Sequence, residues 1–388
     1  MLMKTLLPIA ENARLALDTL LQKPTRGIPT FWLHLMQHAY IERLAGAQPG
    51  DYRKEPEKTY LAMQCAVGAC LLDQYIPKNP LEMGDAGYEP SSQVRSNATA
   101  GAEKILCDGI LIDSAEAVAA HLEQHEFPRL QKSIDEFDED KVTREIIQGE
   151  QAVQARLGAG MLKSGYAFVA FPILDYYKYG YEHYFSAYAL YPDVLERHFA
   201  LQANFALLQN RAAARAFIEG CLPPLYRLDH DMADSRGTLV SIQSLDKLWF
   251  PHFARCLEPL LKADVRLVWH CDGNLMQMVP RLLEIGIRGF QGFQYEDGMD
   301  YKKICAMKTR DGADLIIVAG VSVTRTLPFG TPADILQELA WLVRNGPKTG
   351  LFLGNSSSIT PGVPWENIQT FVEGLKYYRE QGRLAGNG

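Results

Sequence analysis

The stretch VRLVWHCDGNLMQMVPRLLEIG closes an apolar run on His270, Cys271 and Asp272 and then opens at once into a helix-like pattern. On an extended chain, residues two apart share a side, so His270 and Asp272 can converge on one ligand or metal ion while Cys271 points away. That geometry makes Cys271 a poor nucleophile. Asp229, His230 and Asp231 repeat the arrangement with the types exchanged, two carboxylates on one side and an imidazole on the other. Paired carboxylates can bind a metal, hold a substrate cation, or divide into acid and base. Gln294 and Glu296 form a further group of acceptors, and Ser322, Thr324 and Arg325 in GVSVTRTLPFG could meet an anionic group. Asn355 and Ser356 open the hydroxyl-rich turn GNSSSITPG. Trp32, His34 and Gln37 follow IPTF, where an aromatic ring suits either a core or a substrate platform. The segment GAGMLKSG lacks the spacing of a phosphate loop and is set aside.

Such residues need strands to deliver them. Eight short apolar runs stand out: GIPTFWL (27–33), LLDQYIP (71–77), YAFVAFPIL (166–174), PPLYRLDHD (223–231), VRLVWH (265–270), IRGFQGFQ (287–294), DLIIVAG (314–320) and GLFLGN (350–355). Nearly continuous apolar runs separated by amphipathic helices imply parallel strands covered on both faces. Thr331 followed by Pro332 is a helix start, and Gly346 a stop. Eight strands in this rhythm predict an α/β fold, a (β/α)8 TIM barrel forming one domain over residues 1–388. Chemistry then belongs at the carboxyl ends of the strands, where His270, Asp272, Asp229 and Asp231 all fall. Residues 78–112 read as an excursion that could cover the barrel mouth, and 113–150 as an acidic helical insertion with a solvated face.

Composition narrows the function classes. A net charge of −7 and a pI near 5.8 give no footprint for nucleic acid. Seven cysteines without CxxC spacing exclude a disulfide framework and a zinc ribbon. The amino-terminal MLMKTLLPIAENARLAL is broken too early for a signal peptide, and no apolar run reaches the length of a membrane span, so a cytoplasmic enzyme is expected.

The segments LDHDMADSRGTLVSIQSLDKLWFPHF, WHCDGNLMQMVPRLLEIGIRGFQ, LIIVAGVSVTRTLPFGTPADILQEL and SSSITPGVPWENIQTFVEGLKYY, taken in this order, resemble the uroporphyrinogen decarboxylase superfamily. The resemblance implies a (β/α)8 barrel and two kinds of activity. Porphyrinogen-decarboxylating members place arginines after the first strand, whereas here that place reads FWLHLMQHAY, with no arginine before Arg43. Methyltransferase members hold zinc through a His-x-Cys pair and a later cysteine. His270 matches the histidine, Asp272 stands at the first cysteine, and Ser356 or Ser357 at the second. The resemblance therefore implies methyl transfer (a methyltransferase or O-demethylase component) from a small methylated substrate to a corrinoid protein, with decarboxylation of a carboxylate substrate as the alternative. A non-catalytic barrel binding a tetrapyrrole or corrinoid is the third reading. Catalysis would fall to His270, Asp272, Asp231 and Asp229. Trp32, His34, Gln294, Glu296, Ser322, Arg325, Asn355 and Ser356 would bind substrate. Zinc, if used, would sit on His270, Asp272 and Glu296, and a homodimer is what the resemblance suggests.

Overall fold

The structure, a computed structural model, describes residues 9–78 and 105–383. Eight parallel strands form one sheet: β1 (Thr30–Phe31), β2 (Ala69–Leu72), β3 (Leu162–Lys163), β4 (Leu225–Asp229), β5 (Arg266–His270), β6 (Gly289–Gln291), β7 (Ile316–Val321) and β8 (Leu351–Asn355). Their order is β3-β2-β1-β8-β7-β6-β5-β4. The two outer strands meet through a parallel bridge between Gly165 and Tyr226 and a hydrogen bond from the Gly165 N–H to the Leu225 carbonyl at 3.2 Å. A β-carbon on Gly165 would lie 2.7 Å from Phe168 and 2.8 Å from the Tyr226 ring, so only glycine lets the strands approach here. The result is the TIM-barrel-like α/β architecture that the strand rhythm predicts.

Strands buried on both faces explain the unbroken apolar runs. All six residues of β7 are buried, as are Leu267, Val268 and Trp269 of β5. The helices carry their own signals. Thr331 accepts the Asp334 N–H at 3.3 Å while the Asp334 carboxylate accepts the Thr331 N–H at 2.8 Å, a reciprocal cap that starts the helix Pro332–Asn345. The acidic insertion is helical as expected, running through Ala115–His121 and Phe127–Asp135 to Glu139–Leu157, whose last helix packs on Pro192–Glu219. Residues 79–104, most of the segment expected to cover the mouth, lie outside the described residues. The part that follows them is a short hairpin, Ile105–Cys107 with Ile110–Ile112.

Several strands are shorter than the sequence reading, and two differences bear on the site. YAFVAFPIL is not the third strand; that place is taken by MLKSG just before it. The backbone of YAFVAFPIL is served by side chains instead of a ladder. The Tyr226 hydroxyl accepts from the N–H groups of Phe168 and Val169, both at 3.0 Å, Asn210 bonds both polar groups of Ala170, and His230 Nε2 accepts from Leu174 at 2.9 Å. Pro172 lacks an N–H, and Ala167 has φ of 65°, which a strand does not tolerate. The second strand ends at Leu72, so Asp73 and Gln74 emerge at the barrel mouth.

Candidate active site

Six strand ends, Gln291 of β6 among them, converge on a cleft of about 250 Å³ at the carboxyl face of the barrel. Trp32 and His34 follow β1, Gln74 follows β2, Arg227 and Asp229 lie on β4, His270 and Asp272 end β5, and Asn355, Ser357 and Ser358 end β8. His270 is the centre. Its Nδ1 lies 3.2 Å from the carbonyl of Gln291, which can only accept, so in the neutral ring Nδ1 carries the proton. Nε2 is then left with a lone pair, 4.0 Å from Asp229 Oδ1 and 4.0 Å from Asp272 Oδ1.

Asp272 is set by two contacts. Its N–H donates to Asp231 Oδ1 at 3.0 Å, and its Oδ2 accepts from the Ser357 hydroxyl at 3.2 Å. Its Oδ1 is buried and accepts no hydrogen bond from the described residues. Burial pushes the Asp231 carboxyl above its ordinary range, with the neighbouring Asp272 and Asp229 charges adding to the effect. Ligand atoms of Asp231, His270 and Asp272 all lie within 4.8 Å of one another.

This group fits a divalent metal. It offers one imidazole lone pair and two carboxylates, it contains a buried oxygen with an unmet acceptor site, and the Gln291 carbonyl already fixes the histidine tautomer. The donors are harder than the His-and-two-thiolate set of the zinc methyltransferases. Glu296, expected as the third ligand, is elsewhere: it accepts from the hydroxyls of Ser322 at 2.7 Å and of Thr324. Asp231 stands beside His270 instead: β4 and β6 both flank β5, but the turn after β6 carries Glu296 to Ser322 and Thr324.

The expected substrate-binding residues divide. Trp32, His34 and Asn355 line the cleft, with His34 Nδ1 at 2.9 Å from the Ser358 hydroxyl. Glu296, Ser322 and Arg325 instead line a second cleft of about 450 Å³ beside Trp341, between the β6 and β7 loops and the helix Pro332–Asn345. Gln294 turns its side-chain carbonyl to the Gly273 N–H, and Ser356 is buried with its hydroxyl accepting from Val323, so both support the loops without facing the cleft. Ser357 is the serine that meets Asp272. His230 and Cys271 point into the core as alternation requires. Burial lowers His230 to about 4, and it raises the Cys271 thiol.

The sequence reading missed Asp73, Gln74, Tyr166 and Arg227. Arg227 donates to Asp73 through Nε at 2.6 Å and to Asp229 through a terminal nitrogen at 2.9 Å, while Trp32 Nε1 donates to Asp73 at 2.6 Å. Burial alone would raise the Asp73 carboxyl, but the Arg227 guanidinium beside it holds it below the usual range. Counting back by twos from Asp231 through Asp229 reaches Arg227, a signal that was present in the sequence.

Fold and cleft together define an α/β barrel with an acidic, histidine-centred site at the strand mouths. Residues 231–378 match the family model for uroporphyrinogen decarboxylase (URO-D), a span that carries His270, Asp272 and the serine turn after β8. Over that span the chain is similar to the uroporphyrinogen decarboxylase superfamily. No curated protein matches. Among solved structures, a methyltransferase from Methanosarcina mazei superposes with a TM-score of 0.53 at 14% identity, over 95% of this chain and 98% of that one. At that identity the likeness speaks for the fold.

Proposed function

We propose that this chain is an enzyme that takes a methyl group from a small methylated substrate and passes it to a corrinoid protein. The observation that carries the reading is the grouping of Asp231 with His270 and Asp272 at a small cleft whose single lining guanidinium among the described residues, Arg227, is already held by Asp73 and Asp229. Among the described residues, a substrate rich in carboxylates would find no free arginine at the cleft and would face several aspartates, which counts against porphyrinogen decarboxylation. A cleft of about 250 Å³ also suits a small molecule.

Zinc bound by Asp231, His270 and Asp272 would supply Lewis-acid polarisation of the heteroatom that bears the methyl group. The remaining work belongs to the chain. Gln291 holds the His270 ring in place, and Ser357 with the Asp231–Asp272 contact orients the Asp272 carboxylate. Without a metal, Nε2 faces the two carboxylates at 4.0 Å, and a proton carried there would pass to the heteroatom as the methyl leaves. Nε2 holds either a proton or a metal, so the two modes are alternatives at one atom.

The test is direct. Purified protein, with and without added zinc, is incubated with methylated amines, thiols and ethers and with cob(I)alamin, and the spectrum of methylcobalamin is followed. Its absence for every donor rejects methyl transfer. Release of carbon dioxide from a small carboxylate, lost in Asp272→Asn, would favour decarboxylation instead.

A further inference from the structure

The charges around the cleft restrict what can enter it. Four carboxylates, from Asp73, Asp229, Asp231 and Asp272, gather about it, opposed among the described residues by the single guanidinium of Arg227. Lys163, further down the barrel, is matched by Glu150 at 2.7 Å and adds nothing. The carboxylates outnumber the guanidinium by three. A divalent cation on Asp231, His270 and Asp272 would reduce that excess without reversing its sign. In a partly buried cleft such an excess repels anions and attracts cations far more strongly than it would in water.

The wall of the cleft adds a second feature. Trp32 is anchored by its Nε1–H bond to Asp73, and Phe31 lies beside it with ring centroids 6.3 Å apart. An indole ring lining a cleft with carboxylates about it suits an organic cation too large and too weakly hydrated to be held by hydrogen bonds alone. Asp229, half exposed at the same cleft, has its Oδ1 turned toward the interior near His270.

We propose that the substrate is a small organic cation, a quaternary ammonium compound, with its positive group against Trp32 and Asp229. This rests on reading the cleft as the substrate site and is independent of which reaction follows. A quaternary nitrogen has no lone pair for a metal or for a proton from His270, so methyl transfer from such a donor would call on neither. The two-electron nucleophile cob(I)alamin attacks the methyl carbon, the C–N electron pair stays on nitrogen, and a neutral amine leaves without needing a proton.

Binding separates this inference from catalysis. Choline, its neutral isostere with carbon in place of nitrogen, and the anion tert-butylacetate are titrated into full-length protein by calorimetry, once after chelation and once with zinc. Choline should bind about tenfold or more tighter than the isostere. Its advantage should shrink as salt rises, and tert-butylacetate should bind most weakly. Asp229→Asn should cut the advantage to a few-fold, with the folded state checked by circular dichroism. Trp32→Phe, which keeps a ring, should retain more of the advantage than Trp32→Leu. Equal binding of choline and the isostere, tighter binding of the anion, or no binding of choline overturns the inference. A failed methyl-transfer assay beside a clear choline preference rejects only the proposed reaction.

Discussion

The backbone N–H of Asp272 donates to Asp231 Oδ1 at 3.0 Å, which ties the loop after β5 to the loop after β4. One carboxylate thus has two duties, as an anchor for its neighbour and as a member of the histidine-centred group. The duties separate by substitution. Asp231→Asn keeps an acceptor oxygen and should leave the fold intact while weakening zinc binding by roughly 10–100-fold. Asp231→Ala also leaves the Asp272 N–H unpaired and should cost a further 1–3 kcal/mol or so, roughly, of stability. Metal titration and urea unfolding read the two effects.

Gly292 guards the histidine from behind. It has φ of 77°, and a β-carbon there would lie 2.6 Å from His270 Nδ1. Gly292→Ala should therefore push the imidazole off the Gln291 carbonyl. Activity and zinc affinity should both fall by about tenfold or more, with a smaller loss of thermal stability.

The resemblance implies thiolate ligands at Asp272 and at Ser356 or Ser357, and of these serines it is Ser357 that touches Asp272, at 3.2 Å. Asp272→Cys combined with Ser357→Cys should convert the group to a softer one. Zinc affinity should rise, and cobalt substitution should show thiolate-to-metal absorption that the parent protein lacks. An unchanged cobalt spectrum would mean that these positions do not meet one metal.

Asp73 and Arg227 form a buried pair, and breaking one side leaves the other charge without its main partner. Asp73→Asn should cost about 3–5 kcal/mol in urea unfolding. Because the folded pKa of Asp73 is depressed, its contribution is full above the ordinary carboxylate value of 3.8 and is lost as pH falls below it toward the folded value. The variant should lack that acid-dependent part.

His230 gives the opposite residue type with the same slope. Burial lowers its folded pKa from 6.5 to about 4, so between those values the unfolded chain binds a proton that the folded chain refuses. Stability is full above 6.5 and should decline as pH falls toward 4, by on the order of 3 kcal/mol for this residue. His230→Gln, which can still accept from Leu174, should flatten that part of the profile in a denaturation series.

Much of the site was legible because strand alternation is a short-range rule. It put His270 with Asp272 and Asp229 with Asp231, and it turned Cys271 and His230 toward the core. Errors came where a boundary was misplaced. Reading the second strand to residue 77 kept Asp73 and Gln74 inside it, and treating 166–174 as a strand hid Tyr166. Periodicity cannot reveal that an apolar segment has its N–H groups taken by Tyr226, Asn210 and His230 rather than by a neighbouring strand.

The sequence by itself determined the barrel and the stretch around His270, since apolar runs, caps and alternation are local and physical. Only the tertiary structure decided which distant residues meet. It chose Asp231 over Glu296 beside His270, Ser357 over Ser356 beside Asp272, and joined Asp73 to Arg227 across the barrel. Those choices depend on strand order and on the direction each loop takes after its strand. Residues up to 154 positions apart, as Asp73 and Arg227 are, carry no local signal of one another.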